Sequence, residues 1–405
     1  MQSSPKVIHV AFSPLGGAGA VTSRLAEAQQ RLGWQTELVS MVDTPFPRWA
    51  WRHPRVAASA LADFYLVRKA SESSFFSLFR NQHDARLGRK LTRSHDIVHL
   101  HLLPGYIWPP ALFKQTLATR KLIWSVQDLW PITGGCHYTN GCNQFKDRCS
   151  DCPQVHRRFR PAVASAQQAK REAVQNQPHL HVVTPSEWAA REVQASTIMQ
   201  GVPTSVIPNP VDTNRFRPLD RPALRARHQI PADTFVIGVG AANLKDERKQ
   251  IPLTLATLRD WIGASKLSRN ILVLVFGGGG PLPGGGADFR FVGTARDADT
   301  LCEWYNLMDA YVSLSRYETF GNTLAESAAC ETPSVCLTGS GMSDVVVNEK
   351  TGYHVDAPDD VPPLLERWVS IPTLAREFGK RARAHACAEF DVKSVAARFI
   401  DLYTP

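Results

Sequence analysis

The stretch KVIHVAFSPLGGAGAVTSRLAEAQQRLGWQTELVSM, residues 6–41, decides the fold class. Its apolar pattern predicts a strand at 6–12, a glycine-rich turn, a helix at 20–32 that ends at Gly33, and a second strand at 35–41. Parallel neighbouring strands need a helical crossover of this kind, whereas antiparallel neighbours need only a tight turn. The stretch therefore predicts a parallel sheet with glycines at a strand-to-helix corner.

The same alternation of strands and helices recurs along the rest of the chain. Helical patterns at 301–308 and 323–330 lie between apolar runs, and GGGGPLPGGG at 277–286 is too rich in glycine for regular structure and predicts a loop. Two such series in tandem predict an α/β protein of two facing Rossmann-like domains with a cleft between them. The further predicted strands lie at 96–103, 121–128, 179–186 and 203–212, and then at 235–241, 271–277, 290–293, 310–315 and 333–337.

Composition agrees with a soluble globular protein. The chain has 405 residues, of which 43% are hydrophobic and 20% charged, so a disordered chain is excluded and two or three domains are expected. No apolar run approaches the roughly 18 residues that a membrane-spanning helix needs, and the N-terminus lacks a secretory signal pattern. We expect a cytoplasmic protein, in which the eight cysteines are reduced thiols or metal ligands rather than disulfides.

Positive charge is concentrated in the first half of the chain. Residues 1–200 contain 24 Lys and Arg against 13 Asp and Glu, out of 46 and 37 in the whole sequence. An anionic partner is expected there: nucleic acid, an anionic membrane surface or a phosphorylated substrate. The block at 48–93 interleaves ten basic residues with aromatic ones. It is either a surface that binds the headgroup region of a membrane or a solvated pair of helices whose aromatic residues pack inward.

The segment SRYETFGNTLAESAACETPSV, residues 315–335, has the most informative spacing. A strand leads into a short loop, and a helix is predicted to begin near Asn322, where free backbone N–H groups and the helix dipole favour a phosphate group. Gly321 would let a ligand approach the backbone closely. Glu318 and Glu326 stand eight positions apart around this point. On spacing alone, both glutamates could simply be residues that favour a helix start.

Together these residues resemble the donor-site signature of glycosyltransferase family 4, the retaining enzymes of the GT-B fold. The family pattern is a glutamate, Phe-Gly, a second glutamate eight positions after the first, and a Pro-Val strand; here it reads Glu318, Phe320-Gly321, Glu326 and Pro333-Ser334-Val335. The resemblance extends over most of the chain, to a subgroup of exopolysaccharide and colanic-acid type with a cysteine-rich insertion. The other matching segments are 16–19, 184–188, 207–212, 241–250 and 339–346.

The resemblance implies that the second domain binds a nucleotide-diphosphate sugar. Glu326 would hold the ribose hydroxyls, Glu318 the hydroxyls of the transferred sugar, and Lys249, helped by Arg248, the diphosphate. The usual glycine after that lysine is Gln250 here. Without the family context, Lys249 could equally be a solvated lysine at a helix start. The rest of the implied donor-binding set is Gly17, Phe320, Gly321, Asn322 and Thr323.

Two segments resemble the acceptor-facing parts of the subgroup, VHLHLLPGYIW at 98–108 and IWSVQDLWPITGG at 123–135. The second usually carries His-Asp, and here it carries Gln127-Asp128. Because glutamine cannot titrate, Gln127 would act through a neutral amide or the role would lie elsewhere. Asp128 and His101 are the candidates for the acceptor hydroxyl. His101 could equally be a hydrogen-bonded core histidine at the end of a strand.

Four cysteines at 134–153 have the spacing C-x5-C-x6-C-x2-C: Cys136, Cys142, Cys149 and Cys152. Four thiolates in so short a loop suit a tetrahedral structural zinc, and the subgroup carries the same cluster. Two disulfides or four free thiols are the alternatives. Four cysteines leave no open coordination position, so this loop is not expected to be catalytic, and no catalytic metal is expected elsewhere.

The sequence therefore predicts a retaining glycosyltransferase that moves a sugar from a UDP- or GDP-linked donor to a glycan or lipid-linked glycan in cell-surface polysaccharide synthesis. It would lie in the cytoplasm, or on the inner face of the plasma membrane. A basic zinc-containing nucleic-acid-binding protein and a nucleotide-sugar epimerase are the alternatives, and we expect no nucleic-acid partner. The expected domains are an acceptor-side domain at 1–212, a nucleotide-sugar domain at 213–390 and a tail at 391–405 that packs back on the first domain.

Overall fold

The chain folds into two compact units in a computed structural model. The first unit comprises residues 1–207 together with 396–405, and the second comprises residues 208–395. The structure describes residues 5–11, 13, 16–40, 76–77, 95–103, 113, 121–265, 270–280 and 288–404.

The first unit contains a sheet of six parallel strands in the order β2-β1-β3-β4-β5-β6. Strands β1, β3 and β4 are almost wholly buried, as expected for a parallel sheet that is covered on both faces. Leu122, Trp124 and Val182 are fully buried in its core. The strands are β1 (Lys6–Ala11), β2 (Gln35–Ser40), β3 (Ile97–Leu100), β4 (Lys121–Ser125), β5 (Leu180–Thr184) and β6 (Thr204–Val206).

In the described part of this unit, the sheet is accompanied by helices α1 (Gly16–Arg31), α2 (Arg160–Gln175) and α3 (Glu187–Ala195). The Ser186 side chain caps α3 by accepting a hydrogen bond from the backbone N–H of Ala189. The segment between β4 and α2 contains the cysteine-rich insertion and consists of short 3-10 turns rather than longer elements.

The second unit has its own sheet of six parallel strands, in the order β12-β11-β10-β7-β8-β9. The strands are β7 (Phe235–Asn243), β8 (Ile271–Gly278), β9 (Phe289–Gly293), β10 (Ala310–Ser313), β11 (Ser334–Leu337) and β12 (Gly352–Val355). The helices are α4 (Arg221–Arg227), α5 (Ile251–Ala264), α6 (Ala298–Leu307), α7 (Asn322–Ala329), α8 (Met342–Val345), α9 (Val361–Ser370) and α10 (Pro372–Glu389).

The last helix, α11 (Val392–Tyr403), contributes its residues from Ala396 onward to the first unit. There the Tyr403 hydroxyl lies 2.6 Å from Nδ1 of His99 on β3, and the ring of Phe399 is 5.1 Å from the His99 ring. The C-terminus is therefore part of the core that the N-terminal strands build.

Two parallel sheets, each with helices, confirm the predicted α/β class with two Rossmann-like series. Three local predictions were wrong. Helix α1 begins at Gly16 rather than at residue 20, so the glycines form its first turn instead of a separate turn. Strand β8 continues to Gly278, into the glycine run that was predicted to be a loop. Strand β12 was missed, because Gly352 and His354 interrupt its apolar pattern.

Gly352 is required for this strand to pack. A Cβ atom there would lie 2.1 Å from the carbonyl oxygen of Ser334 on the neighbouring strand β11. The basic aromatic block at 48–93 lies outside the described residues, except for Phe76 and Ser77, and so does 281–287 of the glycine-rich loop. Within the described part of the chain, no helix has the length and apolarity needed to cross a membrane.

Candidate active site

The tip of α7 is formed by a glycine in a left-handed conformation. Gly321, which precedes the helix, has φ +105°, a value that L-residues with a side chain rarely adopt. A Cβ atom there would also lie 3.0 Å from Leu324 Cδ1 and 3.1 Å from Met342 Cγ. Phe320 is buried against Phe390, edge to face, with ring centroids 5.3 Å apart. The Phe-Gly pair thus fixes the point where the chain turns into the helix.

Glu326 is a buried carboxylate on α7. It is 5% exposed, and its Oε2 accepts a hydrogen bond of 3.3 Å from the hydroxyl of Tyr305 on α6. Burial, reinforced by the charge of Glu326, raises the pKa of Tyr305 well above its usual value. Sequence reasoning missed Tyr305, because its place on the apolar stripe of the 301–308 pattern predicts a core residue and gives no sign of its hydroxyl contact.

The loop after β7 is tied to the loop after β10 through Arg248. Its guanidinium group pairs with Asp246 at 2.6 Å and donates to the carbonyl oxygen of Tyr317 at 3.1 Å. In return, the carbonyl oxygen of Arg248 accepts a hydrogen bond of 2.9 Å from the backbone N–H of Arg316. Arg248 therefore holds the two loops in register and is not a freely solvated side chain.

Gln250 occupies the position where the family usually has glycine, and its backbone explains that preference. It has φ +49°, in the left-handed region, where a side chain costs about 1–2 kcal/mol. Its side-chain amide donates to the carbonyl oxygen of Leu314 at 2.9 Å. The glutamine thus keeps the conformation that glycine would adopt more easily and adds a contact with the chain just after β10.

Lys249 and Glu318 form an ion pair through Nζ and Oε1. The two side chains are 22% and 14% exposed, so the pair is only partly solvated. The backbone carbonyl of Glu318 also accepts a hydrogen bond of 2.8 Å from the N–H of Gly341, in the glycine-containing loop before α8. The structure therefore brings together a cation and a carboxylate to which the sequence assigned separate tasks.

Two polar residues of the first turn of α7 have fixed partners. The Asn322 side chain accepts a hydrogen bond of 2.9 Å from the side-chain amide of Asn209, and the Thr323 side chain hydrogen-bonds with the hydroxyl of Tyr311. The Tyr311 hydroxyl also donates to the carbonyl oxygen of Gly240 at 2.9 Å. The helix tip, the two glutamates and the Lys249 loop thus form one connected site in the second unit, which we call the donor site.

The predicted donor residue Gly17 belongs to the first unit, where it lies exposed in the first turn of α1. Gln127 and Asp128 lie just after β4, and Asp128 is 5% exposed. Asp128 Oδ1 accepts a hydrogen bond of 3.0 Å from the backbone N–H of Trp130, and Oδ2 pairs with Nδ1 of His137. The other ring nitrogen of His137 lies 3.0 Å from the hydroxyl of Ser77.

His137 is the second residue that sequence reasoning missed. The signal was available, because a histidine follows Cys136 directly within a predicted loop. The structure brings Asp128 together with His137, whereas His101 is 1% exposed and lies 3.0 Å from His9. Burial, and then the charge of His9, lowers the pKa of His101 well below its usual value.

The four cysteines of the insertion are free thiols in this structure rather than disulfides. Their sulfurs attract backbone donors: the N–H of Gln144 lies 3.4 Å from Cys142 Sγ, and Cys149 and Cys152 also accept backbone hydrogen bonds. Burial nevertheless raises the pKa of Cys149 to about 11 and the pKa of Cys152 above its usual value, so the thiolates that bind zinc need the ion beside them. Among these four sulfurs, which all lie in the described part of the chain, no three are mutually within 4.8 Å. The donor set fits zinc, and binding would draw the sulfurs together.

Models of known protein families match segments in both halves of the chain. The model described as Glycosyltransferase Family 4 matches residues 15–215, and that described as Glycosyl transferases group 1 matches residues 284–385, which includes the donor site from Glu318 to Glu326. The chain belongs to glycosyltransferase family 4. This family 4 protein is accordingly an enzyme that transfers glycosyl groups, and neither the nucleic-acid-binding alternative nor the epimerase alternative is supported.

Relatives of this glycosyltransferase include WcaC of Escherichia coli strain K12, named for colanic acid biosynthesis. The two are 24% identical over 408 residues, which cover 91% of this chain and 93% of WcaC. The D-inositol 3-phosphate glycosyltransferase of Saccharomonospora viridis is 30% identical over 213 residues, 48% of each protein.

Solved structures confirm the GT-B fold of this family 4 enzyme. Sucrose-phosphate synthase of Thermosynechococcus elongatus matches with a TM-score of 0.66 at 17% identity over 98% of each chain. HepE of Anabaena, solved in complex with UDP-glucose, matches with a TM-score of 0.64 at 15% identity, over 98% of this chain and 99% of that one.

Proposed function

We propose that this glycosyltransferase takes its sugar from a nucleotide-diphosphate donor and transfers it with retention of configuration. The observation that carries the proposal is the donor site, where a glycine-initiated helix tip, the Lys249–Glu318 pair and the buried Glu326 form one connected group. HepE, which shares the fold, was solved with UDP-glucose, and this supports a nucleotide-sugar donor.

The chemistry of the reaction explains why these residue types are needed. Transfer breaks the bond between the anomeric carbon and a diphosphate oxygen, which leaves negative charge on that oxygen and develops positive charge on the sugar. Lys249, Arg248 and the N–H groups at the tip of α7 would stabilise the leaving diphosphate. Glu326 would accept hydrogen bonds from the ribose hydroxyls, and Glu318 from the transferred sugar. Attack by the acceptor on the face from which the diphosphate leaves would retain the configuration.

Nucleotide binding tests the donor proposal. UDP or GDP should raise the melting temperature of the wild-type protein, and Glu326→Ala should abolish that shift. Glu377→Ala, at an exposed position of α10, is the matched control and should leave the shift unchanged. A wild-type protein that neither nucleotide stabilises would overturn the proposal.

The acceptor is proposed to be a glycan or lipid-linked glycan of a cell-surface polysaccharide, on the basis of the colanic acid name of WcaC. Asp128 is the proposed acceptor-side group, with Gln127 as a neutral positioning amide, whereas buried His101 fits the other interpretation of the sequence, a hydrogen-bonded core histidine. The contact of Asp128 with His137 adds His137 to this set, because an aspartate at Nδ1 fixes the orientation of the imidazole ring. His137→Gln should lower transfer to a supplied acceptor and leave UDP binding intact.

The cysteine-rich insertion is proposed to hold one structural zinc ion. Cys136, Cys142, Cys149 and Cys152 would bind it, and the ion would supply folding energy rather than catalysis. Metal analysis of the purified protein checks this directly. Cys149→Ser should lose one zinc per chain relative to the wild type, whereas Cys387→Ser, outside the insertion, should lose none. Equal zinc contents would contradict the proposal.

Association with an anionic membrane surface is proposed from the charge of residues 1–200. Vesicles that contain phosphatidylserine should sediment the protein, and vesicles of phosphatidylcholine alone should not. The binding should weaken as salt is raised, because it depends on charge. Equal binding to both kinds of vesicle would exclude this association.

A further inference from the structure

A group of three buried histidines lies on the first sheet, apart from the donor site and the cysteine-rich insertion. We call His9, His99 and His101 the histidine cluster; they are 0%, 0% and 1% exposed. The parallel pairing of β1 with β3 places His9 opposite His99, and His101 follows two residues later along the same chain. One ring nitrogen from each of the three lies within 4.8 Å of the other two.

In two members of the cluster, the facing nitrogens are almost as far apart as two nitrogen ligands of one metal ion. Nδ1 of His9 lies 3.0 Å from Nε2 of His101. Two nitrogen ligands of a tetrahedral zinc ion, each about 2.0–2.1 Å from it, are roughly 3.3 Å apart. The rings of His99 and His101 are stacked, with centroids 4.1 Å apart, so the third imidazole lies directly beside this pair.

The outer nitrogens of the cluster are held by neutral polar side chains. Nε2 of His9 lies 2.8 Å from the side-chain oxygen of Gln29 on α1. Nδ1 of His99 lies 2.6 Å from the Tyr403 hydroxyl, and its Nε2 lies 2.7 Å from the Ser125 hydroxyl. Such outer partners orient metal-binding imidazoles. Because both nitrogens of His99 are hydrogen-bonded, one of its two bonds has to open when the ring binds an ion.

Hydrogen bonds within the cluster and to its neighbours leave one imidazole nitrogen without a partner. The Gln29 amide donates to Tyr403 at 3.1 Å, so its oxygen faces His9 and accepts from Nε2–H. Nδ1 of His9 then carries no proton, and its lone pair accepts a hydrogen bond from Nε2–H of His101. The remaining nitrogen, Nδ1 of His101, is buried without a hydrogen-bond partner. Because no neighbour holds Nδ1 of His101, the ring proton of His101 can occupy either nitrogen, and Nε2 is then free to bind an ion.

We propose that the histidine cluster binds a divalent transition-metal ion, with zinc as the expected metal, through one nitrogen from each of its three imidazoles. Imidazole is a preferred ligand of zinc, copper and nickel. On binding, the ring proton of His101 moves from Nε2 to Nδ1, so that Nε2 of His101 and Nδ1 of His9 both present lone pairs to the ion. His99 binds through Nε2 after the bond to the Ser125 hydroxyl opens, and it carries its ring proton on Nδ1, which stays bonded to Tyr403, so no proton is lost. A water molecule is the fourth ligand, and release of its proton to solvent would reduce the buried charge.

The expected role of the ion is structural. His9 and His99 lie on the first strands of the chain, and the Tyr403 partner of His99 lies near the end of α11. An ion on the cluster would therefore fasten the C-terminal helix to the N-terminal strands. This differs from the four-thiol site, because its ligands are nitrogens, and from the donor site, because it lies in the other unit.

Zinc K-edge absorption spectroscopy of the zinc-loaded wild-type protein tests the proposal. Imidazole ligands should give a shell of nitrogen neighbours at about 2.0 Å, distinct from sulfur neighbours at about 2.3 Å. His9→Gln should carry one zinc fewer per chain than the wild type. His181→Gln is the control, because His181 lies on β5 with a Ser205 partner at 2.9 Å and should change nothing.

Equal zinc contents in the two variants would overturn the proposal. So would a wild-type spectrum that contains sulfur neighbours only, or a wild-type protein that retains no zinc. If His9→Gln does not fold, the wild-type spectrum decides alone, because the nitrogen shell is then either present or missing.

Discussion

Nζ of Lys249 pairs with Oε1 of Glu318 in the donor site. In the proposed reaction the lysine neutralises the diphosphate and the glutamate binds the transferred sugar. The two groups therefore neutralise each other before the donor arrives, and the diphosphate would compete with Glu318 for the ammonium group. The ion pair stabilises the partly buried ammonium group while the site is empty. It also weakens donor binding, because the pair has to break before Lys249 can bind the diphosphate.

Removal of the Glu318 carboxylate should separate its contact with the sugar from its competition with the diphosphate for Lys249. Glu318→Ala should lower transfer by orders of magnitude, because the contact with the sugar is lost. The same change should raise the affinity for UDP several-fold, since a gain of about 1 kcal/mol corresponds to roughly fivefold. Turnover assays and calorimetric titration of UDP measure the two quantities. Unchanged turnover would refute the role of Glu318, and Glu377→Ala should change neither.

Gln250 should behave as a strained residue with a compensating contact. Gln250→Ala keeps the left-handed backbone and loses the hydrogen bond to Leu314, so it should lower the free energy of unfolding by about 1 kcal/mol. Gln250→Gly loses the same bond but relieves the backbone, so it should remain within roughly 0.5 kcal/mol of the wild type. Urea unfolding checks both variants. An alanine variant as stable as the glycine variant would contradict this explanation.

Gly321 should not tolerate a side chain. Gly321→Ala combines φ +105° with contacts of 3.0 and 3.1 Å, so it should destabilise the second unit by about 1–3 kcal/mol and weaken UDP binding. The control is Gly263→Ala in α5, where a Cβ atom meets nothing within 4 Å. That change should be neutral or stabilising by up to about 1 kcal/mol, because alanine favours helices. Thermal unfolding and nucleotide titration compare the two, and similar behaviour would refute the requirement for glycine.

Lys170 should make stability depend on pH in alkaline solution. It is fully buried, donates to the carbonyl oxygens of Trp130 and Thr133 at 2.7 and 3.0 Å, and has a pKa that burial lowers to about 7. The unfolded chain, with a lysine pKa of about 10.4, binds more protons between these values. The contribution of Lys170 to the free energy of unfolding should therefore rise with pH from about 7 to about 10, by up to roughly 1.4 kcal/mol per unit.

Lys170→Met should flatten this rise relative to the wild type. Lys146→Met, at an exposed position of the same insertion, should keep it. Urea unfolding at pH 7, 8 and 9 gives the comparison, and parallel curves for the wild type and Lys170→Met would contradict the prediction.

The sequence predicted the elements of the donor site better than their contacts. Glu318, Gly321 and Glu326 could be located because one short segment carries strand, turn and helix signals in order and resembles the family's donor-site signature; on spacing alone the glutamates could have been helix-start residues. The Lys249–Glu318 pair could not, because it joins residues 69 positions apart through two loops whose course depends on Arg248 and Gln250. Side-chain partners of this kind depend on tertiary packing, which a pattern of residue types does not predict.

The first unit shows the same limit. His101 was recognised as a strand-end histidine, yet its contact with His9 depends on the register of β1 against β3. His137 could be seen beside Cys136 as a candidate, but its pairing with Asp128 could not be predicted, because it depends on how the cysteine-rich loop folds back on the end of β4. Strand β12 was missed for a related reason, since Gly352 is selected by a close approach to Ser334 rather than by hydrophobicity.

A crystal structure of the protein soaked with UDP tests the central claim most directly. We expect the diphosphate at the tip of α7, with its oxygens within hydrogen-bond distance of the Gly321 and Asn322 backbone N–H groups and of Lys249 Nζ, and the ribose hydroxyls on Glu326. Nucleotide density at another place, with Glu326 still bonded only within the protein, would contradict the account.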